Sequence, residues 1–189
     1  IQEYVAQAMM NYRLNRLADQ KGSPITGANF YSYKIAQRLG HTALAARTTA
    51  QQWQNALTLL NTSLRQALVA GFSEAELKRA KNEIITYLKK EVQSAGSRQS
   101  DNLASSLIYT LNNNTVYLSP QQEMEIYEPV LKKMTAAEAN DTFRNLWKER
   151  RLVKIAGTAE LDIDPKDHNS YKKATSPEEV IQHALADAE

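Results

Sequence analysis

The hydrophobic pattern of this chain changes its period, and that change restricts the possible folds more than any other feature of the sequence. Residues 2–20 carry apolar side chains at helical spacing, and Gly22 marks the turn that ends them. Residues 25–36 are instead rich in β-branched and aromatic types and predict a strand. With Gly40 as a turn, residues 41–49 predict a second strand, so the two would pair as an antiparallel hairpin.

Helical spacing returns after this hairpin and dominates the rest of the chain. Thr49 is predicted to open a long helix, with Gln52 as its capping-box partner and Gly71 just past its end. Four further helix starts carry capping or proline signals: Ser73, Ser119, Thr135 and Ser176. A shorter helical piece after residues 94–97 carries Leu103, Leu107, Ile108 and Leu111, and residues 152–156 predict a late strand. We therefore expect an α+β fold, a mostly antiparallel sheet covered on one face by long helices.

Composition limits the function classes. The 189 residues suit one domain, and 42% hydrophobic residues are enough for a core. The net charge is only +2, and bases and acids alternate, which does not favour a nucleic-acid or anionic-lipid partner. The absence of cysteine excludes disulfides, zinc–thiolate sites and cysteine nucleophiles. The chain begins at Ile1, already inside a helical pattern and without Met, so we expect it to be a piece of a longer protein.

Histidines are too scattered to predict a metal site. The chain has three of them, His41, His168 and His183, and none lies within one helical turn of another. Both zinc-peptidase helix patterns, His-x-x-Glu-His and His-Glu-x-x-His, are absent from the sequence. A catalytic zinc needs three protein ligands. We therefore predict no catalytic and no metal-binding residue in this chain, with all three histidines structural or solvated.

Other polar and aromatic groups receive structural interpretations. The acidic cluster Asp162, Asp164 and Asp167 could bind calcium, but it lacks the glycine and closing Glu of a hand-type loop, so we interpret it as a surface linker. Trp53 and Trp147 lie on apolar helical faces and are expected in the core. The basic residues of the helix after Ser73 are expected to form a solvated face; they are Lys78, Arg79, Lys81, Lys89 and Lys90.

Three segments resemble the pitrilysin (insulinase) family of zinc peptidases. The first runs from Tyr12 to Ala18, followed by Gly27-Ala28. The second joins Trp53–Leu57 to the run from Ala70 to Lys81, where a long helix ends in Gly-Phe-Ser and a Glu-Leu helix follows directly. The third, Arg98 to Ala104, is similar to an Arg-Ser-x-x-Leu-Ala segment of the bacterial two-half members. The order and spacing of these segments carry the resemblance, which covers about residues 5–160.

The resemblance implies a specific place in a larger enzyme. It implies a protein with four α+β domains that are arranged as a clamshell around a chamber, with the zinc bound in the first domain. Residues 1–160 would be a non-catalytic second domain of the N-terminal half, lacking its first strands, and residues 161–189 a linker and terminal helix. The implied partners are the catalytic domain of the same chain, which holds the zinc, and a peptide substrate; the implied location is the bacterial periplasm.

One family feature is missing, and two alternatives stay open. The family's second-half counterpart has an Arg followed seven residues later by a substrate-holding Tyr, but here Arg16 is followed at that distance by Ser23, so the substrate-binding residues stay unknown. A strand edge at about residues 25–35 is the segment most suited to bind an extended peptide, unless that strand is buried in the sheet. The alternatives are a non-enzymatic assembly or peptide-binding domain, and an unrelated helical adaptor, which would have no hairpin.

Overall fold

The structure is a computed structural model that describes residues 1–35, 39–147 and 177–188. These ranges contain seven helices and two strands: α1 (Gln2–Ala18), β1 (Gly27–Ile35), β2 (Leu39–Arg47), α2 (Trp53–Val69), α3 (Glu74–Ser94), α4 (Ser100–Asn112), α5 (Pro120–Lys133), α6 (Ala136–Leu146) and α7 (Pro177–Ala188). A short 3₁₀ turn, Ala95–Ser97, separates α3 from α4 at the predicted interruption. The predicted hairpin is confirmed, which contradicts the helical-adaptor alternative.

The predicted mostly antiparallel sheet is not borne out. Within the described ranges the sheet consists of β1 and β2 alone, and helices make up most of the chain. The reason lies in the sequence after Arg47, where the described segments have mostly helical periodicity. Gly40 lies inside β2 and not in the turn. The strand predicted at residues 152–156 and the acidic cluster at 162–167 fall outside the described residues.

The chain divides into two compact units. The first comprises Ile1–Met9, Ser32–Thr42 and Phe72–Leu146, and the second Met10–Tyr31, Ala43–Gly71 and Trp147–Glu189. Both units are therefore discontinuous in sequence, and α1 and the hairpin contribute residues to each.

The core of the first unit forms where α3 packs against α5 and α6. The apolar face of α3 is buried, as its residues Leu77, Ala80, Ile84 and Leu88 show. Phe143 of α6 is fully buried and meets Phe72 edge to face, with ring centroids 5.1 Å apart. Such aromatic pairs contribute roughly 0.5–1.5 kcal/mol beyond the area they bury.

The core of the second unit includes both the hairpin base and the helix pair α2–α7. Ile25 and Phe30 are buried, and Trp53 is buried against Val180 and Ala184 of α7. The core position predicted for Trp53 is thus confirmed, and so is the terminal helix that Ser176 was predicted to start. Trp147 is partly buried, and its ring lies 6.0 Å from that of Phe30.

Two of the three predicted capping boxes form, at Ser73 and Thr135, and Ser119, predicted as an N-cap before a proline, also forms a capping box. Ser73 pairs with Glu76 and Ser119 with Gln122, in each case by reciprocal side-chain to backbone bonds. Thr135 pairs in the same way with Glu138. The box predicted at Thr49 is wrong, because α2 begins only at Trp53 and the Gln52 side chain accepts from Asn55 Nδ2 instead.

Candidate functional site

The histidines lie on separate elements. His41 is exposed on β2, where its ring lies 5.1 Å from that of Tyr33 on β1, and the neighbouring cross-strand pair Ser32–Thr42 is joined by a 2.8 Å hydroxyl hydrogen bond. His183 is partly buried on α7, and His168 falls outside the described residues. In the ranges that the structure describes, no group of three or more His, Asp or Glu side chains could hold a metal ion.

The outer edge of β1 is bonded to side chains of α1. Asn11 binds both polar backbone groups of Phe30: its Oδ1 accepts from the N–H over 2.6 Å, and its Nδ2 donates to the carbonyl over 2.9 Å. Gln7 Oε1 accepts from the Ser32 N–H over 3.0 Å. At these two residues the strand groups that an added peptide would need are already occupied. The prediction that this strand offers an edge to an extended peptide is therefore not supported at Phe30 and Ser32.

The Gly-Phe-Ser segment between α2 and α3 has a defined geometry. Gly71 has a φ of 74°, a left-handed conformation that glycine adopts most easily and that often follows a helix C-terminus. Its carbonyl accepts from the Arg13 guanidinium over 2.7 Å. Asn140 of α6 binds both backbone groups of Phe72, accepting from its N–H over 2.7 Å and donating to its carbonyl over 3.1 Å. Ser73 then caps α3.

Lys81 departs from the predicted solvated basic face. Its ammonium donates to the carbonyls of Met134 and Lys132, which end α5, and cations favour this end of a helix. The two hydrogen bonds from Thr135 hold the pKa of Glu138 below its usual value, and Lys81 lowers that pKa further. The other members of the face, Lys78, Arg79, Lys89 and Lys90, are exposed as predicted.

One cluster of titratable groups in the first unit was not predicted. Partial burial raises the pKa of Glu123, the Glu91 carboxylate raises it further, and the Arg98 guanidinium opposes both. Arg98 also donates to the Tyr117 hydroxyl over 3.0 Å. Burial and then Glu91 raise the pKa of Tyr87. The cluster arises because α3 packs on α5, and no local sequence signal indicates that packing.

Comparison with known proteins identifies the fold. The probable zinc protease PqqL of Escherichia coli is 26% identical over 143 residues, which are 75% of this chain and 15% of that protein. The crystal structure of the first half of the periplasmic protease PqqL matches with a TM-score of 0.71 and 24% identity, over 78% of this chain and 32% of that one. The structure of a predicted insulinase family protease from Yersinia pestis matches with a TM-score of 0.74 and 15% identity, over 99% of this chain and 38% of that one.

The chain has the fold of a pitrilysin/insulinase-type peptidase domain. No protein-family model matches it. The chain spans 15% of the length of its curated relative and about a third of the two solved chains. None of its helices in the described ranges is long and apolar enough to cross a membrane.

The three segments that carry the family resemblance now have structural positions. Tyr12 to Ala18 form the last two turns of α1, and the guanidinium of Arg16 lies 6.0 Å from the centre of the Tyr12 ring. Ala70 to Lys81 contain the Gly-Phe-Ser turn and the first two turns of α3. Arg98 to Ala104 lead from the 3₁₀ turn into α4.

Proposed function

We propose that this chain is a non-catalytic, substrate-confining domain of a zinc endopeptidase that hydrolyses peptides. The observation that carries the proposal is the structural similarity of 78% of the chain to the first half of a periplasmic protease. Residues 1–160 would form a wall of the chamber, and residues 161–189 would lead toward the next domain. The expected location is the periplasm, where the similar protease resides.

The donor groups in the part of the chain that the structure describes do not fit a catalytic zinc. Such an ion needs three protein ligands and an open position where a water molecule is activated by a nearby base. His41 is on a strand of the hairpin and His183 on α7, and neither has two further donors grouped with it in the described ranges. In this proposal another domain of the longer polypeptide supplies the two His, the Glu ligand and the catalytic Glu. This chain would pack against that domain and shape the substrate space.

Zinc stoichiometry tests the proposal directly. The purified 189-residue chain is incubated with zinc, desalted and analysed for bound metal, beside variants H41A, H168A and H183A. We expect the wild-type chain to retain no stoichiometric zinc and the three variants to match it. One tightly held zinc per chain that is lost in these variants would contradict a non-catalytic role.

Peptide cleavage by the longer polypeptide distinguishes the second candidate, a non-enzymatic assembly or peptide-binding domain. The uncovered apolar residues of α4 favour that candidate, because contiguous exposed apolar surface often marks an interaction site. We expect the polypeptide that contains this segment to cleave unstructured peptides and to lose this activity with a chelator. If it binds peptides without cleaving them, the second candidate is correct.

A further inference from the structure

Within the part of the chain that the structure describes, helix α4 is uncovered along its whole length. None of its 13 residues is buried, although Leu107, Ile108 and Leu111 share one side of the helix with Ala104. Their spacing is i, i+3, i+4 and i+7, the pattern of a helix face that packs against another surface. We call these four residues the α4 stripe. Leu107 is 40% exposed, Ile108 58% and Leu111 77%.

A helix of this length needs a covering surface. Isolated helices shorter than about 12–15 residues are marginal in water, and helices in proteins gain most of their stability by burying an apolar face. Within the described residues, α4 buries none of its side chains. It also carries only one charged residue, Asp101, so pairs of opposite charge along the helix cannot stabilise it instead.

The chemistry of the stripe indicates what covers it. Four uncharged aliphatic side chains match an apolar surface and offer no attraction to phosphate or to a strongly charged protein face. The relatives of this chain extend far beyond the segment it matches, which is 15% of the curated protein and 32% of the solved half. Such polypeptides contain further domains that could carry the complementary surface.

We propose that the α4 stripe docks on an uncharged, apolar surface of another domain in the same, longer polypeptide. The inference rests on the proposed function, because it requires that this chain works as one domain of a larger protein. The inference adds the surface, the α4 stripe, through which this domain would contact the other domain. Docking would also stabilise α4, none of whose side chains is buried within the described residues.

Thiol accessibility tests this docking, and the absence of cysteine from the chain makes each introduced thiol a clean reporter. L111C on the stripe and K89C on the exposed basic face of α3 are prepared both in the 189-residue chain and in the full polypeptide that contains it. The rate of reaction with a thiol reagent is compared, after subtraction of any native cysteines of the full polypeptide. We expect L111C to react at least about tenfold more slowly in the full polypeptide, since access then requires local opening. K89C should react equally fast in both.

Three results would overturn the proposal. L111C could react as fast as K89C in both contexts, which would leave the stripe uncovered. Its protection could already be present in the 189-residue chain and rise with concentration, which would identify a second copy as the occupant. Protection that develops only on addition of a peptide substrate would assign the stripe to substrate. Cleavage activity of the full polypeptide is measured on the same samples, so a failure of docking is distinguished from a failure of the proposed peptidase function.

Discussion

Replacing Asn140 with Ala should weaken the first unit, because this side chain is bonded to both backbone groups of Phe72. The two bonds measure 2.7 and 3.1 Å and join residues that are 68 positions apart. Each bond contributes about 1 kcal/mol net, and a buried N–H left without a partner costs about 1–3 kcal/mol. Ala is better than Asn in a helix by roughly 0.5 kcal/mol, which offsets part of the loss. We expect N140A to lower the free energy of unfolding by about 2–3 kcal/mol.

Amide hydrogen exchange at Phe72 is the most direct assay, because the Phe72 N–H is itself the donor to Asn140. A loss of about 2 kcal/mol predicts exchange about thirtyfold faster at this amide, together with a lower urea midpoint. The matched control is N145A, the same substitution at an exposed position of the same helix. If N140A and N145A agree within about 0.5 kcal/mol and Phe72 exchanges at the same rate in both, the bonds contribute nothing and the reasoning is refuted.

Three further predictions concern capping, pH and the second unit. S73A removes the acceptor of the Glu76 N–H and should cost about 1 kcal/mol in urea unfolding; an unchanged midpoint would contradict the capping role. The pKa of Glu138 is lower in the folded state than in the unfolded state. The ionised Glu138 carboxylate therefore stabilises the fold above the unfolded pKa, and this stabilisation is lost as pH falls through the folded pKa. The stability difference between wild type and E138Q should therefore shrink in acid, and a pH-independent difference would refute this. W53A should cost about 3–5 kcal/mol and speed amide exchange throughout α7, whose Val180 packs on that ring; unchanged α7 protection would show that the contact is dispensable.

Sequence reasoning succeeded where the deciding chemistry is local. Ser73, Ser119 and Thr135 each bond a residue three positions later, so the pattern and the bond occupy the same short segment. It failed at Thr49 because Gln52 had a second local partner, Asn55, which the capping pattern alone could not weigh. The turn predicted at Gly40 was wrong for a similar reason, because glycine permits a turn without requiring one, and Gly40 lies within β2.

Features that depend on distant partners could not be predicted. The hydrogen bond from Asn11 to Phe30 joins residues 19 positions apart, and the one from Lys81 to Met134 joins residues 53 positions apart. Each forms only after the elements that carry its two residues have packed together. For α4 the periodicity correctly predicted a helix with an apolar side. The hydrophobic periodicity of α4 predicts an apolar face but not the surface that packs on it, and in the described structure this face is exposed.

The Gly-Phe-Ser turn illustrates why a short family motif can be specific even though each of its residues is common. Gly71 permits the left-handed backbone and presents its carbonyl to Arg13, while Phe72 is bonded to Asn140 and packs on Phe143. The chain passes from the second unit to the first between these two residues, so each is fixed by partners within its own unit. The motif therefore fixes where α2 ends and α3 begins.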